Sequence, residues 1–376
     1  MSDFILKEVS NIKNELEQIG FDSSYLLQAE NKFRYKNIKI FNLSVAQANI
    51  LKQTALIFGA DCAVNRNVIT GNIAQSDVIL CGSYSQLKKI ASKLMSQPFK
   101  LAILGKNILN FLEPQVRKTK LVGILNVTPD SFSDGGKYLD KTSAENHFMQ
   151  LLEDGADLID IGAESTRPNS EAVSCEEQIE RLKSIIEFAQ KENLTDKVSV
   201  DTRSSEVADF VLNHGIKIIN DVSGFDYDKK MPDVIAKYQA GVIIQHSTAR
   251  TEDYNEFENI METLFFSLKT KAESAQAQGI TNIIIDPGIG FGKNKKDNFI
   301  ILDKIEELYS LELPIMVGVS RKSLLGVETD DNELKDSLSA SISYPLIQKG
   351  VDYLRVHNIK LHKALLNMYN NFIDYQ

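Results

Sequence analysis

The stretch Asn282-Ile-Ile-Ile-Asp286-Pro-Gly-Ile-Gly-Phe-Gly292 carries the reading on which the fold depends. A short apolar run of β-branched side chains ends on a carboxylate, and a glycine-containing turn follows. The run is too short for a helix and lacks the polar alternation of a half-buried strand, so it predicts a strand covered on both faces. Outward from it, the pattern recurs at Leu121–Val127, Leu158–Ala163, Val198–Thr202, Ile216–Val222, Gly241–His246, Ile315–Val319 and Tyr353–His357. Amphipathic stretches lie between these runs, and strands that alternate with helices signal a parallel sheet. Eight in a row predict an α/β fold closed as a (β/α)8 TIM barrel rather than an open doubly wound sheet.

The intervening helices carry their own signals. Ser174 and Glu177 have capping-box spacing for a helix whose face holds Ile179, Leu182, Ile186 and Ala189. Another helix runs through Met261, Leu264, Phe265, Leu268 and Ala272, with Gly279 as its stop.

A barrel of this kind takes roughly 250 residues, and the chain has 376, which leaves a second domain before it. The expected division is an N-terminal domain over 1–115 and the barrel over 116–376. The first part reads as strand Ile38–Leu43, helix Ala46–Phe58, strands Cys62–Val68 and Asp77–Cys81, helix Gln86–Leu94 and strand Leu101–Ile103. That β-α-β-β-α-β order predicts a smaller, ferredoxin-like α/β domain. It carries no motif with an evident chemistry, so a structural or oligomerisation role outweighs an active one.

The composition, 43% hydrophobic and 25% charged, is that of an ordinary globular protein. A net charge of -9 argues against a nucleic-acid partner, because phosphate backbones select basic surfaces. Cys62, Cys81 and Cys175 are widely spaced and odd in number, which suits free thiols in a reducing cytosol. No run is long and apolar enough for a bilayer and no secretory pattern opens the chain, so a cytoplasmic protein without a membrane partner is expected. No tight His/Cys/Asp cluster has zinc spacing.

In a parallel barrel the active site is built at the C-terminal ends of the strands. Here those ends carry Asn126, then Glu164-Ser165-Thr166-Arg167, Asp201, Asn220 with Asp221, His246, Asp286 with Gly288, Gly290 and Gly292, Ser320-Arg321-Lys322, and Arg355 with His357. One such cluster would be an ordinary polar loop; a complete circle of them on one face predicts a site. Arg167, Arg321, Lys322 and Arg355 supply cations suited to an anionic substrate or a phosphate leaving group. Asp201, Asn220 and Asp286 need partners if buried, and a flat heterocycle with N–H donors and a carbonyl would provide them. The glycine run is not a phosphate loop; it is better read as a tight turn presenting Phe291. His246 is read as structural, hydrogen-bonded at its strand end, and His147 and His362 are assigned no role.

Several segments then resemble one known family, in order along the chain. Gly123-Ile-Leu-Asn-Val-Thr-Pro-Asp-Ser-Phe-Ser-Asp-Gly-Gly136 and Asp160-Ile-Gly-Ala-Glu-Ser-Thr-Arg-Pro168 are similar to the first two signatures of dihydropteroate synthases. Ser199-Val-Asp-Thr202, Ile219-Asn-Asp-Val222, Asp286 to Asn294, Gly318-Val-Ser-Arg-Lys-Ser323 and Arg355-Val-His357 resemble further blocks. The resemblance begins near Lys120 and leaves the N-terminal part unmatched.

It implies a transferase of folate biosynthesis that condenses 7,8-dihydropterin-6-ylmethyl diphosphate with p-aminobenzoate, giving 7,8-dihydropteroate and pyrophosphate. Asp201, Asn220, Asp286 and Lys322 would hold the pterin. Asn126, Arg355 and His357 would surround the diphosphate, with Asn126 also a Mg²⁺ ligand. Phe132, Ser133 and Asp134 on the first loop and Thr166, Arg167 and Pro168 on the second would form the aminobenzoate pocket with Phe291 and Ser320, and Gly318 would line the substrate site. The implied catalytic set is Asp201, Asp286, Lys322, Asp134 and Arg167. The resemblance also implies a homodimer and sensitivity to sulfonamides as aminobenzoate mimics.

Four positions depart from the family pattern. Gln245-His246-Ser247 stands where Met-His-Met is common, removing an apolar contact to the pterin. Asn358 replaces the usual Asp after His357, which removes a carboxylate near that histidine and is expected to affect its tautomer. Ala163 in place of Gly is harmless. Two other functions compete: a pterin-dependent methyltransferase, which would not use the Ser-Thr-Arg and Ser-Arg-Lys segments, and a non-catalytic pterin-binding protein, which would not retain Asn126, Arg355 and His357.

Overall fold

The computed structural model describes residues 4–113, 117–127, 137–164, 173–247, 257–327, 329 and 331–374, the side chains of 137–141 and 374 excepted. They form two compact units, Met1–Val116 and Arg117–Gln376.

The first unit opens with helices α1 (Ile12–Gln18) and α2 (Leu26–Phe33). Then come strand β1 (Tyr35–Ser44), helix α3 (Val45–Ile57), strands β2 (Asp61–Val64) and β3 (Gln75–Ser83), and helices α4 (Tyr84–Leu94) and α5 (Leu101–Leu112). The antiparallel sheet has order β1-β3-β2. Both strand-to-helix junctions use the same device: Ser44 with Gln47, and Ser83 with Gln86, form reciprocal capping boxes. Each satisfies two otherwise orphaned N–H groups, so no connecting loop is needed. Along β3 the side chains alternate, with Val78 and Leu80 buried and Ile79 exposed. The buried side packs with Leu51 of α3 and Leu87 and Ile90 of α4.

The fourth strand expected of a ferredoxin-like unit is absent among the described residues. Leu101–Ile103 instead begins α5. Its buried positions, Leu101, Gly105, Ile108 and Leu112, are spaced by four, three and four, the period of one helix face. At Gly105 a Cβ would lie 2.5 Å from the backbone oxygen of Ala91, so glycine permits the close approach to α4.

The second unit is the barrel. Its strands are β4 (Lys120–Asn126), β5 (Leu158–Gly162), β6 (Val198–Asp201), β7 (Ile218–Asp221), β8 (Gly241–Gln245), β9 (Ile283–Asp286), β10 (Met316–Val317) and β11 (Tyr353–Val356). Each run read from the sequence holds one strand. All adjacent pairs are parallel, in the order β10-β11-β4-β5-β6-β7-β8-β9. An isolated parallel bridge, Ile285 to Ile315, closes the seam between β9 and β10. Helices α6 (Lys137–Glu153), α7 (Cys175–Lys191), α8 (Ser205–Asn213), α9 (Met231–Lys237), α10 (Ile260–Ala277), α11 (Lys295–Asp303), α12 (Asn332–Lys349) and α13 (Ile359–Asp374) follow successive strands. Ser174 caps α7 by accepting from the Glu177 N–H at 3.2 Å. Gly279 adopts φ +90 just beyond α10.

Two apolar clusters divide the barrel. The large one lies between strands and helices and includes Ile159, Ile161, Val200 and Ile244. The smaller joins Val122, Leu158, Ile243, Ile284 and Met316, one from each of five strands, with Ile218 and Tyr353 beside them. Because side chains alternate along a strand, the second cluster marks the inward face, as a layer filling the barrel. Two residues further along the same face stand Ile124, Asp160, Asn220, Gln245, Asp286, Gly318 and Arg355. The interior thus turns from apolar to polar within one layer.

Candidate active site

Arg355 lies at the centre of the polar layer. Its Nε is 2.6 Å from Asp160 Oδ2, and its Nη2 donates to Asp201 Oδ2 at 2.9 Å. Asp160 is fully buried and also accepts from Ser199 Oγ at 2.7 Å and Asn220 Nδ2 at 2.9 Å. Three strands are thereby tied to the cation on a fourth. The Asn220 amide donates here, while its buried Oδ1 finds no partner among the described residues. An acceptor left in this state needs a ligand donor or water.

Asp201 is buried beside Asp160, and the two carboxylates share one guanidinium. Burial pushes Asp201 up to about 7, with Arg355 pulling it down and Asp160, Asp221 and Glu164 pushing it up. Asp286 is raised by burial as well, against the pull of Lys322 and a 2.7 Å bond from the Gly288 N–H. Lys322 is lowered to about 8 by burial, which Asp286 opposes. Its Nζ donates to the Ile289 carbonyl at 2.6 Å and sits 4.6 Å from the centre of the Phe291 ring. Clustered groups whose proton affinities are drawn toward neutrality mark a working site more often than a structural one.

The loop after β9 is shaped by Lys293, whose buried Nζ donates to His246 O, Gly288 O and Phe291 O at 3.0, 2.9 and 3.0 Å. All three ammonium donors meet backbone carbonyls, fixing Phe291 and the end of β8 together. Gly288 has φ +66, and a Cβ there would lie 2.0 Å from His246 O. Just beyond β10 and β11, His357 N donates to Ser320 Oγ at 3.2 Å, and that oxygen lies 2.9 Å from His357 Nδ1. A hydroxyl that accepts from the backbone and donates to Nδ1 suits the Nε2–H tautomer. A cleft of ≈ 450 Å³ opens beside the loop after β10, lined in part by Arg321, Lys322, Ser323 and Lys335.

The structure therefore brings together Asp201, Asn220, Asp286, Lys322, Phe291, Gly318, Ser320, Arg355 and His357. A Cβ on Gly318 would stand 3.7 Å from Arg355 Cβ and 3.8 Å from Lys322 Nζ, in the space between them. Asn126 is exposed at the end of β4, and its Oδ1 would lie 3.3 Å from a Cβ on Gly162. Phe132, Ser133, Asp134, Thr166, Arg167 and Pro168 lie outside the described residues.

Some expectations need correction. Arg321 is not a substrate cation: it is paired with Asp336 through Nε and Nη2 at 2.7 and 2.8 Å. Asp221 faces away from the barrel interior, one residue out of step with Asn220. Its carboxylate closes the following turn by accepting from Ser223 N, Ser223 Oγ and Phe225 N. Glu164 pairs with Arg203 at 2.9 Å. Arg355 is not simply a phosphate cation, since two carboxylates already engage it. Gln245 at the departing position spans to the Val222 carbonyl at 3.2 Å, doing backbone work at the end of β7. His246 is buried and held down to about 3, chiefly by burial and then by Lys293 and Lys271, so it is neutral. Sequence reasoning missed Asp160, Ser199 and Lys293; the first two share the inward register of Leu158 and Asp201.

Among the described residues no three or more His, Cys, Asp or Glu side chains are grouped to hold a metal ion, and no helix is long and apolar enough to cross a membrane. The model of the family described as "Pterin binding enzyme" matches residues 122–357. A dihydropteroate synthase of Clostridium beijerinckii is 39% identical over 247 residues, covering 64% of this chain and 90% of the relative. A bifunctional dihydropteroate synthase/dihydropteroate reductase of Helicobacter pylori is 32% identical over 372 residues, 96% of each chain. The crystal structure of the dihydropteroate synthase of Anaplasma phagocytophilum with bound 6-hydroxymethylpterin-monophosphate has a TM-score of 0.63 and 38% identity, over 68% of this chain and 99% of that one. With a matched family model spanning more than half its length, this chain belongs to the pterin-binding enzymes.

Proposed function

We propose that the protein is a dihydropteroate synthase, joining 7,8-dihydropterin-6-ylmethyl diphosphate to p-aminobenzoate in folate biosynthesis. The observation that carries this reading is the polar layer itself: Asp201, Asn220, Asp286, Lys322 and Arg355 converge above an apolar floor. The pterin's amino-pyrimidinone edge offers N–H donors to Asp286 and to Asn220 Oδ1, and its carbonyl accepts from Lys322. Charge-assisted bonds of this kind are the stronger ones.

The reaction breaks the bond between the pterin methylene and the diphosphate oxygen, and forms a bond to the amine nitrogen of p-aminobenzoate. The electron pair leaves with pyrophosphate, and the amine later gives up one proton. As the leaving group departs, positive charge spreads from the methylene into the pterin, where Asp201 and Asp286 stabilise it. Arg355 holds Asp201 in place, and by resemblance Arg355 and His357 border the diphosphate. Phe291 and Ser320 border the aminobenzoate, and the cationic cleft at Lys322 and Lys335 suits its carboxylate. Asp134 and Arg167, implied as catalytic, and Phe132, Ser133, Thr166 and Pro168 complete that pocket by resemblance. The same pocket would accept sulfonamides.

A Mg²⁺ ion fits the donor set: one neutral oxygen, Asn126 Oδ1, with phosphate oxygens and water as the other ligands, is how this hard cation is often held. When bound it would neutralise charge on the departing pyrophosphate. A homodimer in the cytoplasm completes the proposal.

A second activity deserves testing because the Helicobacter pylori relative matches nearly end to end, residues before the barrel included. We propose dihydropteroate reduction, which requires a hydride donor, as that second activity. Purified protein incubated with the diphosphate, p-aminobenzoate and Mg²⁺ should form dihydropteroate, detected by chromatography. Product should require all three and vanish in Asp286→Ala and Lys322→Ala. Pterin binding without product would refute the synthase reading. Tetrahydropteroate appearing only with a reduced nicotinamide or flavin would establish the second activity.

A further inference from the structure

Two active-site loops meet at one carboxylate that belongs to neither. Asp336 lies in the first turns of α12 and is 5% exposed. It grips Arg321 through both carboxylate oxygens, at 2.7 and 2.8 Å. It also accepts from Asn358 Nδ2 at 3.1 Å. Arg321 stands between Ser320, which bonds His357, and Lys322, which borders Asp286. Asn358 directly follows His357 and, through Oδ1, caps α13 at the Leu361 N–H at 3.0 Å.

The backbone shows how much this contact organises. Arg321 has φ +57, an unfavourable conformation for a residue with a Cβ. It is held there by the bidentate pair and by the bond from its N–H to Ser339 Oγ at 3.1 Å. Burial works to raise the Asp336 carboxyl, yet Arg321 and Asn358 hold it below its usual value, so it is charged at neutral pH.

The residue at 358 is constrained by the same geometry. An Asp there would place a second carboxylate about 3 Å from Asp336 and repel it. The Asn keeps the helix cap, which Asp and Asn serve equally, and gives Asp336 a donor.

We propose that Asp336 is a positioning residue: from α12 its buried carboxylate clamps Arg321 and takes a donor from Asn358, so that positions 336 and 358 are coupled as one carboxylate and one amide. Its charge holds Arg321, and through it aligns Lys322 and the Ser320–His357 pair. The consequence for turnover rests on the synthase reading; the coupling of 336 with 358 does not.

The test is a cycle in the full chain: Asp336→Asn, Asn358→Asp, and the double variant that swaps the two. Each single change should lower the urea unfolding midpoint and raise KM for the dihydropterin diphosphate ~10- to 100-fold, the scale of a slight misplacement of substrate-holding groups. The double variant should recover most of both losses. Unfolding losses that simply add in the double variant, or singles indistinguishable from the parent, would overturn the coupling. A fall in kcat with KM unchanged would reduce Asp336 to a folding role and equally overturn positioning. The unfolding cycle needs no substrate, so a parent protein without synthase activity would sink that reading and leave the coupling decided on its own measurement.

Discussion

Asp201 and Lys322 set a narrow pH window in opposite directions. Asp201 binds pterin donors as a carboxylate, so sites gain function as pH rises through about 7. Lys322 serves as an ammonium, so they lose function as pH rises through about 8. The expected kcat/KM for the dihydropterin diphosphate is therefore a bell with its maximum between those values, measured by initial rates at low substrate. Asp201→Asn should remove the acid limb along with most activity, and Lys322→Arg should move the alkaline limb upward. A profile unaffected by either change would contradict these assignments. At this scale the sequence was legible wherever a polar side chain ended an apolar run, as with Asp201, Asn220, Asp286 and Lys322. Asp160 was hidden because it lies inside such a run, where its inward direction depends on register. Arg321 and Lys322 are neighbours with the same charge; what separates their roles is the left-handed backbone at Arg321, which composition does not display.

The loop after β9 shows what an element adds to its residues. Gly288, turning at φ +66 against His246 O, and Lys293, spanning three carbonyls, hold Asp286 and Phe291 in one arrangement. Lys293→Met would strand buried acceptors at about 1–3 kcal/mol each. It should lower unfolding stability by ~3 kcal/mol or more in urea titration and weaken pterin binding further than stability alone explains. Gly288→Ala should be no better tolerated, because its new methyl meets backbone rather than a side chain that could move. The motif of closely spaced glycines was visible in the sequence, but not the lysine's task, since Lys is ordinarily solvated. Helix α5 was misread for a related reason: Leu101-Ala-Ile-Leu104 is apolar throughout, and only the spacing through Leu112 identifies its helical face.

At the scale of the molecule, each unit has its own apolar core, so each should fold as a separate domain. The Clostridium beijerinckii relative matches over 247 residues that make up 90% of its length. Residues 117–376 produced alone should then retain synthase turnover within about threefold of the full chain. If the reductase activity is real and depends on the first unit, it should be lost in the same truncation. The alternation of eight apolar runs with helices made the barrel the most legible feature of the sequence. The N-terminal unit was harder, since its three strands left the choice between a fourth strand and a helix to a four-residue run.

The barrel's closure has a consequence for motion. Elsewhere the strands are joined by continuous ladders, whereas β10 has two residues and reaches β9 through the lone bridge from Ile285 to Ile315. This seam runs between the strands that lead into Asp286 and into Lys322. Transient separation there should cost less than elsewhere in the wall. Amide hydrogens at Ile285 and Val317 should exchange with deuterium faster than those at Ile161 and Val200. A pterin spanning Asp286 and Lys322 would act as a clasp across the gap, slowing exchange on both sides of it. The part of the wall that grips the substrate is thus also the part most ready to breathe without it.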